Sequence, residues 1–197
     1  ESTVDGDVVE FGVMRGYSSV AFASSLNLFN KKNLFNNKKK IYLFDSFKGL
    51  PIIEHEIDQK NINVKNNFWH EGAVKGYTRN EIENIMQNYI DKDSIEIYEG
   101  YFDQTIKQLE DKSLFSLIHV DSDLYLSCIQ ALEPLFENKF VSTGAIILFD
   151  NFNLSKSDKE LGERKAWSDI VKKYKIDFFD QGAYGSAGNK FIVHSYI

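Results

Sequence analysis

One cysteine and two prolines are all that 197 residues hold of either type, and no apolar run approaches the length of a membrane span. Each scarcity excludes something. A lone Cys128 can neither close an internal disulfide nor build a zinc-binding cysteine cluster, which suits a reducing cytoplasm, and it reads as a small apolar helix residue. Without about 18 consecutive apolar residues nothing spans a bilayer, so no membrane partner is expected. No basic start leads into an apolar stretch, so no export signal is visible and the expected location is cytoplasmic. The chain begins at Glu1 rather than Met, so some native N-terminal sequence is expected to be missing. Basic charge is in deficit too: 23 Lys and Arg against 29 Asp and Glu, a net charge of −6, argue against nucleic acid as a partner. The locally basic run NKKNLFNNKKK (30–40) then reads as a solvated helix end and loop. No G-K-[ST] is present, which removes a Walker-type phosphate loop. No internal repeat or low-complexity linker interrupts the chain.

At 43% hydrophobic and 14% aromatic, the chain can bury a sizeable core, and one domain over 1–197 is expected. Short apolar runs alternate with amphipathic ones. DVVEFG (7–12), KIYLFDSF (40–47), SIEIYEG (94–100), LFSLIHVD (114–121) and GAIILFDNF (144–152) read as strands. The spacing of apolar residues predicts helices over 17–29, 79–90, 102–111, 124–138 and 158–174. Pro134 predicts a kink or break in the fourth of these. Residues 175–197 read as two strands around a Gly-rich turn, hence a hairpin. Continuously apolar strands alternating with helices imply an α/β fold with a mostly parallel sheet covered on both faces, and the hairpin adds an antiparallel strand. Only 48–78 lacks a pattern, and a loop of that length is read as a substrate or lid loop.

In such sheets ligands bind beyond the carboxyl ends of the strands. Five successive predicted strands end there in acids: Glu10, Asp45, Glu99, Asp121 with Asp123, and Asp150 with Asn151. In VVEFGVMRGYSS, Gly12 and Gly16 allow a tight strand-to-helix turn, but G-x-x-x-G is not the dinucleotide spacing, which disfavours a dehydrogenase. Asp45 is placed to accept both hydroxyls of a ribose, or else to cap the turn that follows it. Glu10 can orient the glycine loop or bond the ammonium of a bound amino acid. Ser18 can join the first helical turn in bonding a carboxylate, or cap that helix. Together these residues suggest an adenosine-containing ligand that carries an amino-acid moiety.

VEFGVMRGYSS, YLFDSFKGLP, HVDSDLY and LFDNF resemble the S-adenosylmethionine-dependent O-methyltransferases of the macrocin O-methyltransferase family, which methylate sugar hydroxyls. The resemblance runs from about residue 4 to 195, with DSFKGLP and VDSDLY its specific pieces. It implies a Rossmann-like class I methyltransferase with a seven-stranded sheet, and N-terminal helical sequence that helps to cover the site. It implies S-adenosylmethionine as cofactor, with Glu10, Gly12, Gly16, Ser18, Asp45, Ser46, Glu99 and Asp121 as contacts. It further implies a divalent ion, usually Mg²⁺, held by Asp121, Asp150 and Asn151, with Asp123 as general base. An oxygen-only ligand set suits a hard cation, which would hold a vicinal diol and lower the pKa of the attacking hydroxyl. Asn151 departs from the family, where an aspartate is usual. Related catechol-type enzymes carry a lysine base three residues after the strand-four aspartate; Leu124 stands there. The competing reading of Asp121 and Asp123 is an N-cap for the helix starting near Leu124.

His70, in the 48–78 segment, is a candidate alternative base or hydroxyl contact, or else a surface residue. Phe68, Trp69 and Tyr77 could stack on a sugar face, and His119 reads as a satisfied core residue. The expected partner is a small-molecule or glycan acceptor, with a homodimer expected from base rates. Two alternatives stay open: an acceptor that is a phenolic or other small vicinal diol, and a non-catalytic S-adenosylmethionine-binding protein.

Overall fold

The computed structural model describes residues 4–32 and 38–197, so the middle of the basic run lies outside the described residues. The elements are β1 (Asp7–Phe11), α1 (Tyr17–Lys31), β2 (Ile41–Asp45), α2 (Ile62–Lys65), α3 (Arg79–Met86) and β3 (Ile95–Glu99). They continue with α4 (Phe102–Thr105), β4 (Phe115–Val120), α5 (Tyr125–Glu137), β5 (Val141–Phe149) and α6 (Leu154–Ser157). α7 (Gly162–Tyr174), β6 (Asp177–Tyr184) and β7 (Gly188–Ser195) complete the chain. The seven strands form one sheet in the order β3-β2-β1-β4-β5-β7-β6. β1 to β5 pair in parallel, and β7 runs antiparallel to both of its neighbours. The order reverses between β1 and β4, the place where such sheets open a crevice for ligand.

Both sheet faces are packed because successive side chains on a strand point opposite ways. Val9, Phe11, Phe44, Ile118, Ile147 and Phe149 turn to one face and meet Leu132, Leu135 and Phe136 of α5 and Trp167 and Ile170 of α7. Val8, Ile41 and Leu43 turn to the other and meet Ala23 and Leu26 of α1 and Ile82 and Met86 of α3. Phe11, Phe44 and Tyr98 stack in a row across β1, β2 and β3, with ring centroids 5.1 and 4.5 Å apart. Stacked aromatics of this kind hold neighbouring strands in register beyond the area they bury. Among the described residues no helix is long and apolar enough to cross a membrane.

The structure changes four local expectations. Pro134 breaks nothing: α5 runs through it to Glu137, and its carbonyl accepts the N–H of Asn138 at 3.1 Å. Lacking an N–H, it forgoes one bond, to the Gln130 carbonyl, and the helix continues past it. The helix expected over 102–111 is only α4 followed by a 3₁₀ turn, Ile106–Gln108. α7 begins at Gly162 rather than 158, because left-handed Ser155 and Lys156 (φ 52° and 59°) turn the chain first. The segment 48–78 is not patternless: it contains a 3₁₀ turn, Asp58–Lys60, then α2, and reaches α3 through a Thr78–Glu81 capping box.

One glycine governs how the site edge is assembled. Gly12 has φ 89°, and a Cβ added there would lie 1.9 Å from the carbonyl oxygen of Asp121. β1 and β4 close against each other at that point, with Asp121 N donating to Phe11 O at 2.9 Å. Gly12→Ala is therefore expected to destabilise the protein by about 3 kcal/mol or more, combining a left-handed penalty with overpacking against backbone. A denaturant-unfolding midpoint close to wild type would show that the two strand ends are not locked as described.

Candidate active site

A cavity of about 260 Å³ opens at the carboxyl edge of the sheet, over the point where the strand order reverses. The polar lining follows the strand order: Asp45 and Ser46 beyond β2, Gly12 and Met14 beyond β1, Asp121, Ser122 and Asp123 beyond β4, and Asp150 and Asn151 beyond β5. Leu50, Pro51 and Val74 from the 48–78 segment form a wall, with Tyr101 and Phe102 beyond the end of β3. Apolar walls around a few converging polar groups are what small-molecule sites usually offer.

Asp45 ties the glycine loop to β2. Its Oδ2 accepts the N–H of Val13 at 2.7 Å and of Met14 at 3.0 Å, and its Oδ1 accepts that of Phe47 at 2.6 Å. With two bonds on Oδ2 and one on Oδ1, the carboxylate keeps one lone pair, on Oδ1, for a ribose hydroxyl. Ser46 spends its side chain on the next turn, accepting from Lys48 N at 3.0 Å and donating to Gly49 O at 2.8 Å.

Beyond β5, the Asn151 amide donates to Asp121 Oδ1 at 2.9 Å and to Asp123 Oδ1 at 3.1 Å. Burial, followed by the charges of Asp123 and Asp150, pushes the Asp121 carboxyl up to about 7. Burial, followed by Asp150, pushes Asp123 up to about 6. Asp123 also has a left-handed backbone (φ 59°), in a tight turn closed by Leu124 N donating to Ser122 O at 2.6 Å. Backbone strain of this kind persists only where its surroundings hold it, and it gathers at functional sites.

Two acids that the sequence did not single out hold these groups in place. Glu163, in the first turn of α7 and 1% exposed, accepts the N–H of Ser122 at 3.1 Å and of Asn151 at 2.9 Å. Its carboxylate thereby joins the two loops that carry the site acids. Burial drives its pKa well above the ordinary carboxylate range, against the pull of the Ser122 N–H. Asp58, 3% exposed, accepts the N–H of Tyr125 at 2.6 Å and of Leu126 at 3.1 Å. It therefore caps α5 from a segment 67 residues away in sequence. The cap that Asp121 or Asp123 could have supplied comes from Asp58 instead. Proximity across such distances leaves no mark in local sequence. An acid in the first turn of a helix was the one signal available for Glu163.

Other expected site residues lie elsewhere. Glu10 is fully buried and faces no cavity; it accepts from the hydroxyls of Ser18 and Ser19 and lies 2.9 Å from His119 Nδ1. Ser18 is thus engaged with Glu10, and His119 is a satisfied core residue. Gly16 and Glu99 are not among the cavity-lining residues, and Glu99 is exposed at the end of β3. His70 is exposed on the surface of the 48–78 segment, its Nδ1 2.9 Å from Glu71 O. Phe68, Trp69 and Tyr77 do not line the cavity either.

Two outcomes follow. A folded-state pKa raised above the unfolded 3.8 means that the unfolded chain releases its proton first, so the ligand-free protein loses stability as pH rises from about 4 to about 7. Asp121→Asn should therefore melt higher than wild type at pH 8, by roughly 5 °C, with the gap closing toward pH 5. A gap independent of pH would rule out charge burial as its cause. Asp58→Ala should cost about 1–2 kcal/mol through the lost cap and speed amide exchange at Tyr125 and Leu126; unchanged exchange there would mean that the cap is not formed in solution.

A family model for macrocin O-methyltransferases (TylF) matches residues 1–177, from the amino terminus to the first residue of β6. The structure of the O-methyltransferase NovP superposes with a TM-score of 0.76 at 20% identity, covering 98% of this chain and 73% of that one. The calicheamicin methyltransferase CalS11 gives 0.72 at 18%, covering 96% and 72%. SAH-bound methyltransferase PaMTH1 of Podospora anserina gives 0.56 at 15%, covering 96% and 72%. At these identities the structural likeness shows the fold alone, and no curated protein sequence matches the chain. The family match spans the glycine loop and every strand-end acid of the cavity, and on it the chain belongs to the macrocin O-methyltransferase family.

Proposed function

We propose that this O-methyltransferase transfers a methyl group from S-adenosylmethionine to a hydroxyl of a sugar or glycoside, with Asp123 as general base and a divalent cation held by Asp121, Asp150 and Asn151. The observation that carries the reading is one cavity lined, in strand order, by Asp45 and Gly12 and then by Asp121, Asp123, Asp150 and Asn151. The first pair suits a nucleoside, the second set an acceptor hydroxyl, and the cavity brings both within one enclosure.

The donors fit a hard cation in kind, since all are oxygen ligands once the Asn151 amide presents its carbonyl. Among the described residues no three His, Cys, Asp or Glu side chains form a group that could hold a metal ion. Mg²⁺ commonly takes one or two carboxylates and keeps waters for the rest. A bound cation would supply charge to lower an acceptor hydroxyl's pKa. Bound S-adenosylmethionine would supply an electrophilic methyl on sulfur.

The chain's own residues do the rest. Asp45 and the backbone around Gly12 orient the nucleoside end, and the wall of Leu50, Pro51 and Val74 keeps water from the reacting atoms. Asp123 takes the hydroxyl proton on its carboxylate as oxygen attacks carbon. An aspartate pushed up to about 6 is a stronger base than an ordinary one and still mostly ionised at pH 7.5. Leu124, buried at 2% exposure, occupies the position of the catechol-type lysine and favours a sugar acceptor over a phenolic diol.

Calorimetric titration of S-adenosylhomocysteine tests the reading. Micromolar binding is expected, weakened at least tenfold in Asp45→Ala. With an acceptor in hand, Asp123→Asn should lower kcat about 100-fold or more while leaving S-adenosylhomocysteine affinity unchanged. Absence of any binding by the folded protein would remove the methyl-transfer reading.

A further inference from the structure

Beyond Asp150 the carboxyl edge of the sheet continues into strands to which the proposed chemistry assigns nothing. β7 is antiparallel to β5 and to β6, so β6 runs in the same direction as β5. Tyr184, the last residue of β6, therefore sits at the same edge as the strand-end acids. Strand pairing puts it in one row with Asp150. Tyr184 lies opposite Gly188 and Phe149 opposite Asn189, so Gly188 falls level with Asp150.

Gly188 makes that row compact. A Cβ there would come within 2.6 Å of Tyr184 Cζ, the ring carbon that bears the hydroxyl, and 2.8 Å from the Phe149 carbonyl oxygen. The tyrosine ring thus fills the space of the missing side chain, with its hydroxyl end toward the last peptide of β5. The loop after Asp150 is fastened to the same spot: Asn153 N donates to Ala187 O at 2.7 Å and Asn153 Nδ2 to Gly188 O at 3.1 Å.

The Tyr184 hydroxyl is closed off from solvent and has no hydrogen-bond partner. A buried O–H without a partner is a net cost to the fold, and such groups call for an explanation. The two other unpartnered buried side-chain atoms among the described residues have different surroundings. Trp167 Nε1 belongs to a residue of the aromatic core, and Ser155 Oγ to the left-handed turn of α6. Tyr184 stands near the acids: burial, then the charges of Asp150, Glu163 and Asp121, all oppose its ionisation. The phenol therefore remains protonated and available as a donor.

We propose that Tyr184 is a positioning residue of this site, whose hydroxyl donates to the Asp150 carboxylate when the cavity is loaded. The assignment rests on the reading of Asp150 as a cation ligand. Carboxylates that bind ions are commonly held by a second hydrogen bond, and here Tyr184 is the donor in the adjacent row. A donor kept without a partner in the empty protein costs stability that a filled site recovers.

Tyr184→Phe removes the oxygen and little else. Thermal unfolding should be followed for the ligand-free protein, with S-adenosylhomocysteine, and with Mg²⁺ titrated in the presence and absence of S-adenosylhomocysteine. The variant is expected to melt at or above the wild-type temperature when ligand-free and to gain as much from S-adenosylhomocysteine as wild type does. Its Mg²⁺ affinity should fall roughly tenfold. A variant melting well below wild type would show that the hydroxyl serves a structural bond and overturn the proposal. Equal Mg²⁺ affinity would overturn it too, as would a wild type that takes up no Mg²⁺. Failure of S-adenosylhomocysteine to bind would instead strike the methyl-transfer reading, and the Mg²⁺ titration of the ligand-free protein would still decide the role of Tyr184.

Discussion

Acids crowd the carboxyl edge of this sheet, and their mutual repulsion has to be answered one group at a time. Glu10 takes two serine hydroxyls and lies against His119, while Asp45, Asp58 and Glu163 each take two or more main-chain N–H groups from a different part of the chain. Fixed backbone donors stabilise a buried carboxylate without a counter-ion, and each such acid fastens two segments together. Asp121 and Asp123 receive only one shared side-chain amide, and Asp150 makes no side-chain hydrogen bond among the described residues. The acids without backbone donors keep the most capacity for a ligand, while Asp45 keeps part of its own. The division between scaffold and site follows from where the N–H groups point.

The same logic explains how the 48–78 segment belongs to the site without supplying its chemistry. Leu50 N donates to Ala73 O and Gly72 N to Leu50 O, both at 2.9 Å, so the segment is closed on itself near its two ends. Tyr77 N donates to Met14 O at 2.9 Å, which lays its far end on the glycine loop. Asp58 then caps α5 immediately after Asp123. A wall fastened at three places stands where the cavity needs an apolar side, while its aromatic and histidine side chains remain outside. This arrangement also relieves Asp123, whose own carboxylate would otherwise be the nearest candidate for the helix end.

Much of the fold was legible because it depends on periodicity. Strands apolar on both faces alternate with helices apolar on one, and that pattern alone implies a covered parallel sheet with a terminal hairpin. The row of strand-end acids was legible for the same reason: once strands are located, their carboxyl ends are known, and Asp45, Asp121, Asp123, Asp150 and Asn151 do meet in one cavity. Where periodicity was weak the boundaries moved, as at α4 and at the start of α7. Pro134 shows that a local rule yields to context, since α5 continues to Glu137 despite the bond the proline forgoes.

Sequence by itself determined the order of the elements, the edge at which a ligand would bind and the residue types present there, because these are set by spacing along the chain. Only the tertiary structure decided which of those acids remain available. Glu10 looked like a ligand contact and is consumed by Ser18, Ser19 and His119; capping was the competing reading of Asp121 and Asp123, and Asp58 supplies that cap instead. Glu163, 41 residues from Ser122, had only its place in the first turn of a helix as a local sign. Such roles arise when folding brings a donor or an acceptor from a distant segment, and no pattern in the neighbouring residues records which partner will arrive.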